Sequence, residues 1–120
     1  MSDDNNPKHP AGPRVRILLG GATALGPGKV GLLQAIDKCG SISKAAKDMG
    51  MSYRRAWMLV DTMNDCFTDD LVITATGGKG GGGAKVTDLG LDVIQRYQDM
   101  EAKAAASIAE EAQEMGKLLK

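Results

Sequence analysis

The sequence predicts a mainly α fold with a small β component, and three observations along its 120 residues support that prediction. Two amphipathic segments between residues 41 and 64 meet at Gly50. Two short strand-like runs, 71–76 and 84–86, flank a glycine-rich tip. A last stretch, 88–120, repeats apolar residues at helical spacing. A helix pair, a β-hairpin and a long helix in this order predict a winged helix-turn-helix followed by a long C-terminal helix.

The first 25 residues predict little regular structure apart from one strand. Residues 1–13 are polar and contain three prolines, so we expect a disordered tail. Residues 14–19 form a short, partly alternating apolar run that predicts a strand, and Gly20-Gly21 ends it. The residues that follow, up to Gly26, predict a loop.

The next segment predicts an amphipathic helix. Gly26 as N-cap and Pro27 as the first helical residue mark its start. From Lys29 to Cys39 the apolar residues recur at intervals of three and four, and Gly40 ends the helix.

The segment 41–64 predicts a helix-turn-helix. Ser41 or Ser43 can cap a short helix, Gly50 supplies a left-handed turn, and Ser52 caps a second helix over about 53–64. Small and apolar residues at helical spacing are expected at the helix–helix contact: Ala45, Met49, Met51, Ala56, Val60 and Met63. An ordinary helical hairpin is the alternative interpretation.

A hairpin and a long helix complete the predicted fold. The strand-like run 71–76, the glycine-rich segment 77–83 and the returning run 84–86 indicate a wing. Thr87 is expected to cap a final helix of roughly 30 residues. One apolar stripe runs along that helix: Leu89, Val93, Tyr97, Met100, Ala104, Ile108, Ala112, Met115 and Leu119. A helix this long exceeds so small a domain, so a second copy of the chain is expected to cover the stripe.

The charge is neutral in total but unevenly distributed. The sequence has 15 Lys and Arg against 15 Asp and Glu. Residues 14–85 hold ten basic and six acidic residues, whereas 86–120 hold four basic and seven acidic. A basic front joined to an acidic back suggests a nucleic-acid-binding module, although a solvated surface explains the same numbers.

Composition excludes several other protein classes. No apolar stretch is long enough to span a membrane, and the N-terminus lacks the apolar core of a secretory signal, so we expect a cytoplasmic protein. Two cysteines are too few for a disulfide framework. The only histidine, His9, lies in the tail, and neither Cys39 nor Cys66 has a histidine nearby. The acidic pair Asp69-Asp70 is typical of a solvated turn. We therefore expect no enzyme activity, no metal and no cofactor.

The glycine-rich segment 77–83 does not match a phosphate-binding loop. Such a loop needs Lys followed by Ser or Thr at the start of a helix, whereas Lys79 is followed by Gly80 and the flanks are strand-like. A wing fits better, because glycines let the hairpin tip approach a sugar-phosphate backbone and Lys79 supplies a positive charge. A flexible hairpin that touches nothing is the alternative.

The second helix of the pair carries the candidate DNA-reading residues. With Ala56, Val60 and Met63 facing inward, the opposite side presents a different set: Tyr53, Arg54, Met58 and Asp61. Arg54 and Arg55 lie in the first turn, where recognition helices meet base edges, and arginine binds guanine in bidentate fashion. Asp61 is suited to orienting one of these arginines.

Lys44, Lys47 and Trp57 also have expected roles. Lys44 and Lys47, on the preceding helix, can contact phosphates. Trp57 is expected to pack against the core or the wing, with a DNA-facing position as the alternative.

These residues resemble a known family. The sequence is similar to the N-terminal DNA-binding domain of ModE-type, molybdate-responsive transcriptional regulators, a winged helix related to the LysR type. The similarity extends over about residues 14–108. It is carried by the following segments: Gly40-Ser41-Ile42-Ser43, Ala45-Ala46-Lys47, Ser52-Tyr53, Ala56-Trp57, Met63-Asn64, the glycine-rich Ala75–Ala84, Thr87 and Gly90.

The resemblance implies a homodimer that binds a palindromic operator in double-stranded DNA. Ser52, Tyr53, Arg54 and Arg55 would then begin the recognition helix, with Lys79 and Gly80 on the wing. The first strand and the long helix would form the dimer interface through these residues: Ile17, Leu19, Leu89, Val93, Tyr97, Met100, Ala104 and Ile108. The sequence ends at Lys120 without a segment like the family's C-terminal molybdate-binding domains, so we expect no ligand domain within it.

We therefore expect a tail at 1–13, a winged helix-turn-helix DNA-binding domain at 14–87 and a dimerisation helix at 88–120. The expected function is sequence-specific regulation of transcription, and the resemblance suggests molybdenum-related genes. One alternative is a winged helix that serves as a protein–protein adaptor. The other is a small regulator that binds molybdate itself; otherwise a separate sensor protein would supply the signal.

Overall fold

The computed structural model describes residues 15–19, 23–75 and 83–120. Within these ranges the elements follow in this order: β1 (Ile17–Leu19), β2 (Thr23–Leu25), α1 (Pro27–Cys39), α2 (Ile42–Met49), α3 (Tyr53–Cys66), β3 (Val72–Ala75), β4 (Gly83–Val86), α4 (Asp88–Ser107) and α5 (Ala109–Gly116). β1 pairs with β2 and β3 pairs with β4, both antiparallel, in two separate sheets. The predicted fold class is confirmed: a mostly helical chain with a helix pair, a hairpin and a long helix, as in a winged helix.

Local sequence signals explain where α1 and α2 end. Gly40 adopts φ 70° and donates its N–H to the Ile36 carbonyl at 2.8 Å, which closes α1. Gly50, at φ 71°, ends α2 with two bonds: its own N–H to Lys47 O and the Met51 N–H to Ala46 O. This paired pattern is a Schellman motif, and it reverses the chain between the two helices of the helix-turn-helix.

The core lies among the first three helices, the base of the hairpin and the start of α4. Its largest fully buried side chains come from α1, α3, the base of the hairpin and α4: Leu32, Leu33, Ile36, Val60, Met63, Leu71, Val86 and Tyr97. The predicted contact between α2 and α3 is confirmed, because Ala45 and Ala56 are completely buried there. Met49 packs closely on α1: a Cβ on Gly31 would lie 3.0 Å from its Cε.

The prediction of a loop between Gly21 and Gly26 is wrong. Thr23–Leu25 forms β2, in register with β1 from Ile17 opposite Leu25 to Leu19 opposite Thr23. Three residues are too few for periodicity to indicate a strand, and this strand exists because it pairs with β1 and buries Leu25. β1 itself is shorter than the predicted 14–19.

The predicted long C-terminal helix is confirmed, but it is shorter than the expected length of roughly 30 residues. α4 ends at Ser107, Ile108 has φ −115° and ψ 8°, and α5 follows as a separate helix of 8 residues. The Ser107 hydroxyl donates to the Ala104 carbonyl at 2.8 Å, and this carbonyl also accepts the Ile108 N–H. A serine that binds a preceding carbonyl in this way bends or interrupts a helix.

Candidate nucleic-acid interface

The outward face of α3 follows from what its inward face buries. Ala56, Val60 and Met63 are 0–1% exposed, at the i, i+4 and i+7 positions that share one side of a helix. The exposed residues on the rest of the helix surface include Tyr53, Arg54, Arg55, Met58 and Asp61. The structure thus confirms the predicted division of α3 into a core face and an exposed face.

The first turn of α3 is fixed by its cap. The Arg55 N–H donates to the Ser52 hydroxyl oxygen at 3.1 Å, so Ser52 is engaged as the N-cap and retains its own O–H as a donor. Arg54 and Arg55 follow directly and are exposed. Within residues 15–19, 23–75 and 83–120 neither arginine forms an ion pair, so the suggested pairing with Asp61 is not observed.

Two further cations lie on the neighbouring helix. Lys44 and Lys47 are exposed, and their spacing of three residues puts them on the same face of α2. The Lys44 N–H donates to the Ser41 hydroxyl, which shows that Ser41, rather than Ser43, caps this helix. Because α2 packs directly against α3, the structure places these four exposed cations, Lys44, Lys47, Arg54 and Arg55, on one helix pair.

The base of the hairpin is attached to α3 by Asn64. The N–H groups of Leu71 and Val72 donate to Asn64 Oδ1 at 2.8 and 3.2 Å, and Asn64 Nδ2 donates to the Val72 carbonyl at 3.0 Å. A single side chain therefore fixes the start of β3 relative to the end of α3. Sequence reasoning assigned Asn64 no role, although an amide shortly before a strand was a signal for such a clamp.

The second strand of the hairpin is attached to the turn that precedes α2. The Ala84 N–H donates to the Gly40 carbonyl oxygen at 3.0 Å. Thr87 joins the end of β4 to the start of β3, since its N–H donates to Leu71 O and its hydroxyl to Asp70 O at 2.7 Å. Gly90 is close to the same point: a Cβ there would lie 2.5 Å from Leu71 O.

The predicted wing residues Lys79 and Gly80 lie outside the described residues. The described arms of the hairpin add a cation that sequence reasoning missed, because Lys85 is exposed on β4 opposite the exposed Ile73 of β3. The signal was the alternation along β4, in which Lys85 precedes the buried Val86.

Trp57 lies between the core and the exposed Tyr53. Trp57 is partly buried against the core, as predicted. Its ring meets that of Tyr53 edge to face, with centroids 6.2 Å apart and an interplanar angle of 79°. Tyr53 is thereby held at the surface without being buried.

The predicted dimer residues differ in how far the chain's own core covers them. Val93 and Tyr97 are 7% and 2% exposed within the single chain, and the Tyr97 hydroxyl donates to Val15 O at 2.6 Å, so both belong to the chain's own core. Ile17 and Leu89 are partly buried against the same core, and Leu19 belongs to β1. Met100 and Ile108 are 38% and 42% exposed, and Ala104 between them is half-buried.

Other kinds of site find little support in the described ranges. No group of three or more His, Cys, Asp or Glu side chains there is arranged to hold a metal ion. Among the helices of the same ranges, none combines the length and the apolar composition needed to cross a membrane.

Comparison with known proteins finds relatives that bear the names ModE and MopB. The chain is 38% identical over 86 residues to the molybdenum transport protein ModE of Azotobacter vinelandii, covering 72% of this chain and 32% of that protein. It is 44% identical over 81 residues to the molybdenum-pterin-binding protein MopB of Rhodobacter capsulatus, covering 68% and 30%. It is 49% identical over 71 residues to the DNA-binding transcriptional dual regulator ModE of Escherichia coli K12, covering 59% and 27%.

The chain spans about a third of the length of these curated relatives. No protein-family model matches it. Over most of its length, therefore, the chain is similar to part of the ModE and MopB proteins, which are regulators or binding proteins connected with molybdenum.

Proposed function

We propose that this chain is a sequence-specific DNA-binding regulator of transcription that acts as a homodimer on a palindromic operator. The observation that carries the proposal is the position of Arg54 and Arg55. Both are exposed and unpaired among the described residues, in the first turn of a helix that a capping serine and a helix-turn-helix hold in place. The first turn of such a helix is the part that enters the major groove in this class of proteins.

The remaining cations suit a different task from the arginines. Lys44 and Lys47 on α2 are suited to phosphates beside the groove, as compact charges that position the protein without reading sequence. Lys85, and the predicted wing residues Lys79 and Gly80, would contact the backbone on the neighbouring side. The hydrogen bonds of Asn64 and the Gly40 carbonyl supply a rigid base for that wing.

The dimer in this proposal is formed through the part of α4 that the chain's own core leaves exposed. Met100 lies on the same side of α4 as the buried Val93 and Tyr97, the half-buried Ala104 follows it one turn later, and the exposed Ile108 comes directly after the end of the helix. A small residue between two larger apolar ones lets a second helix approach closely. A two-fold axis here would present two recognition helices to one duplex.

The names of the relatives support a link with molybdenum. The regulated genes would then concern molybdenum metabolism, and the protein would act in the cytoplasm, where bacterial DNA lies. A separate sensor protein or molybdate would supply the signal.

Selection of bound sequences from a random duplex pool by the full chain tests this function. We expect enrichment of a two-fold symmetric sequence, with half-sites about 10 base pairs apart from centre to centre. A pool that shows no enrichment would contradict the proposal and favour the protein–protein adaptor, because an adaptor has no reason to select a duplex.

The names of MopA and MopB, molybdenum-pterin-binding proteins, favour a second candidate: a small regulator that binds molybdate directly. Trp57 provides the test, since it is the only tryptophan in the chain. A saturable change of its fluorescence, together with thermal stabilisation at millimolar molybdate, would support this candidate. A signal that does not change would contradict it.

A further inference from the structure

The exposed face of α3 carries two large apolar side chains beside its arginines. Tyr53 is 55% and Met58 60% exposed. Among the described residues before position 109, no other large apolar side chain is as exposed. α3 buries its remaining apolar side chains wholly or partly, so these two are not needed for the fold.

Both side chains lie close to the arginines along α3. Met58 is four residues after Arg54, and residues at this spacing are neighbours on a helix surface. Tyr53 lies in the same first turn as Arg54 but about 100° around the helix from it, and the edge-to-face contact with Trp57 holds its ring at the surface. The first two turns of α3 therefore present hydrogen-bond donors and apolar groups on one exposed surface, with Arg54 and Met58 as direct neighbours.

This combination matches the chemistry of the major groove. Guanine offers two acceptors that a guanidinium can bind, and the one apolar group on any base edge is the C5-methyl group of thymine. A methionine is unbranched and polarizable, so it adapts to a small apolar partner. One helical turn advances about 5 Å along the axis, which corresponds to one or two base pairs.

We propose that Tyr53 and Met58 read thymine methyl groups within about two base pairs of the bases contacted by Arg54 and Arg55. This inference rests on the proposed function and names the sequence feature that the same helix recognises. Four exposed cations, Lys44, Lys47, Arg54 and Arg55, accompany the two apolar side chains on the helix pair. Tyrosine, methionine and arginine are also enriched at protein interfaces, but lysine is depleted there, so Lys44 and Lys47 are the residues that favour DNA over a protein partner.

Replacement of thymine by deoxyuridine tests the inference, because it removes the methyl group and keeps the base pair. Each thymine of the duplex selected by the full chain is replaced in turn, and dissociation constants are measured by fluorescence anisotropy at one salt concentration. At one or more thymines in each half-site we expect about fourfold weaker binding, the factor that burial of one methyl-sized group is worth.

Variants then connect the methyl groups to the two side chains. Met58→Gln keeps the length of the side chain and should abolish the preference for thymine over deoxyuridine at one position, and Tyr53→Gln should do so at another. Met58→Leu and Tyr53→Phe should retain it. Leu91→Gln is the matched control, since Leu91 is 43% exposed on α4 and its loss should not change any thymine preference.

The outcomes separate the inference from the function on which it rests. A selected duplex that tolerates deoxyuridine at every thymine would contradict the inference alone. Thymine preferences that remain in both glutamine variants would also contradict it. Tyr53 and Met58 would then be expected to contact a protein partner instead. A pool that yields no selected duplex contradicts the proposed function and the inference together.

Discussion

Arg54 and Arg55 differ from the lysines around them in what their charge can do. A guanidinium presents its donors in a planar fork that matches two acceptors on a guanine edge, whereas an ammonium acts as a hydrated point charge. The structure leaves both arginines exposed on a capped helix, with no ion pair among the described residues to compete for them. At the scale of single residues, therefore, the proposed function assigns base reading to the arginines and phosphate contact to the lysines.

Alanine substitutions should separate these two tasks. Arg54→Ala should weaken binding to the selected duplex by about 1–3 kcal/mol and relax the preference at one base pair. Lys47→Ala should weaken all duplexes alike and lower the slope of log K against log salt by about one. Anisotropy titrations at several salt concentrations measure both effects. If Arg54→Ala weakened binding to the selected and the shuffled duplex by the same factor, as Lys47→Ala should, the division between base reading and phosphate contact would be contradicted.

At the scale of elements, Asn64 determines how the hairpin sits on α3. Its side chain pairs two N–H groups and one carbonyl of Leu71 and Val72, and those two residues are 0% and 2% exposed. Asn64→Ala leaves these buried backbone groups without partners. Because each of these three groups costs about 1–3 kcal/mol, we expect the free energy of unfolding to fall by at least about 3 kcal/mol.

Urea unfolding followed by circular dichroism measures that loss. Asp65→Ala is the control, since Asp65 is exposed on the same helix and should change stability by about 0.5 kcal/mol or less. Asn64→Asp keeps the acceptor oxygen for Leu71 and Val72 and should lose less than Asn64→Ala. Equal stability of Asn64→Ala and the parent chain would show that the amide does not fix the hairpin.

Helices and strands were predictable from the sequence where interactions between residues close in the chain form them. α1, α2 and α3 were predictable because their caps, glycine stops and apolar spacing are local signals. β2 was not, because Thr23–Leu25 becomes a strand only by pairing with β1. The break at Ile108 was missed because Ser107, Ile108 and Ala109 are all compatible with a helix, and the deciding hydrogen bond leaves no sequence pattern.

The candidate site was predictable to a similar extent. Arg54, Met58 and Tyr53 could be placed on the outer face of α3 because the inward residues repeat at helical spacing. The edge-to-face contact of Tyr53 with Trp57 and the attachment of β4 to Gly40 depend on geometry across the fold. The same holds for Val93 and Tyr97, which belong to the predicted dimer stripe but are covered by the chain's own core.

At the scale of the whole molecule, the uneven charge and the exposed end of α4 point to one arrangement. The exposed cations of α2 and α3 belong to the basic part of the sequence, and the acidic part forms α4 and α5. In a dimer joined through α4, two basic helix pairs would face one duplex.

Ile108→Glu tests this arrangement. Ile108 is 42% exposed, so the substitution should spare the chain's own core and disrupt only an interface between copies. We expect the parent chain to scatter light as twice the 12.6 kDa of one chain, and Ile108→Glu as a monomer. Leu91→Glu, on the opposite side of α4, should remain dimeric. A monomeric parent chain at micromolar concentration would contradict the dimer.

The most direct test of the central claim compares two duplexes of equal length and composition. One carries the sequence selected by the full chain and the other a shuffled version, and anisotropy titrations at physiological salt give a Kd for each. A sequence-specific regulator should bind the selected duplex at least about 10³-fold more tightly. Equal dissociation constants for the two duplexes would contradict sequence-specific DNA binding by this chain.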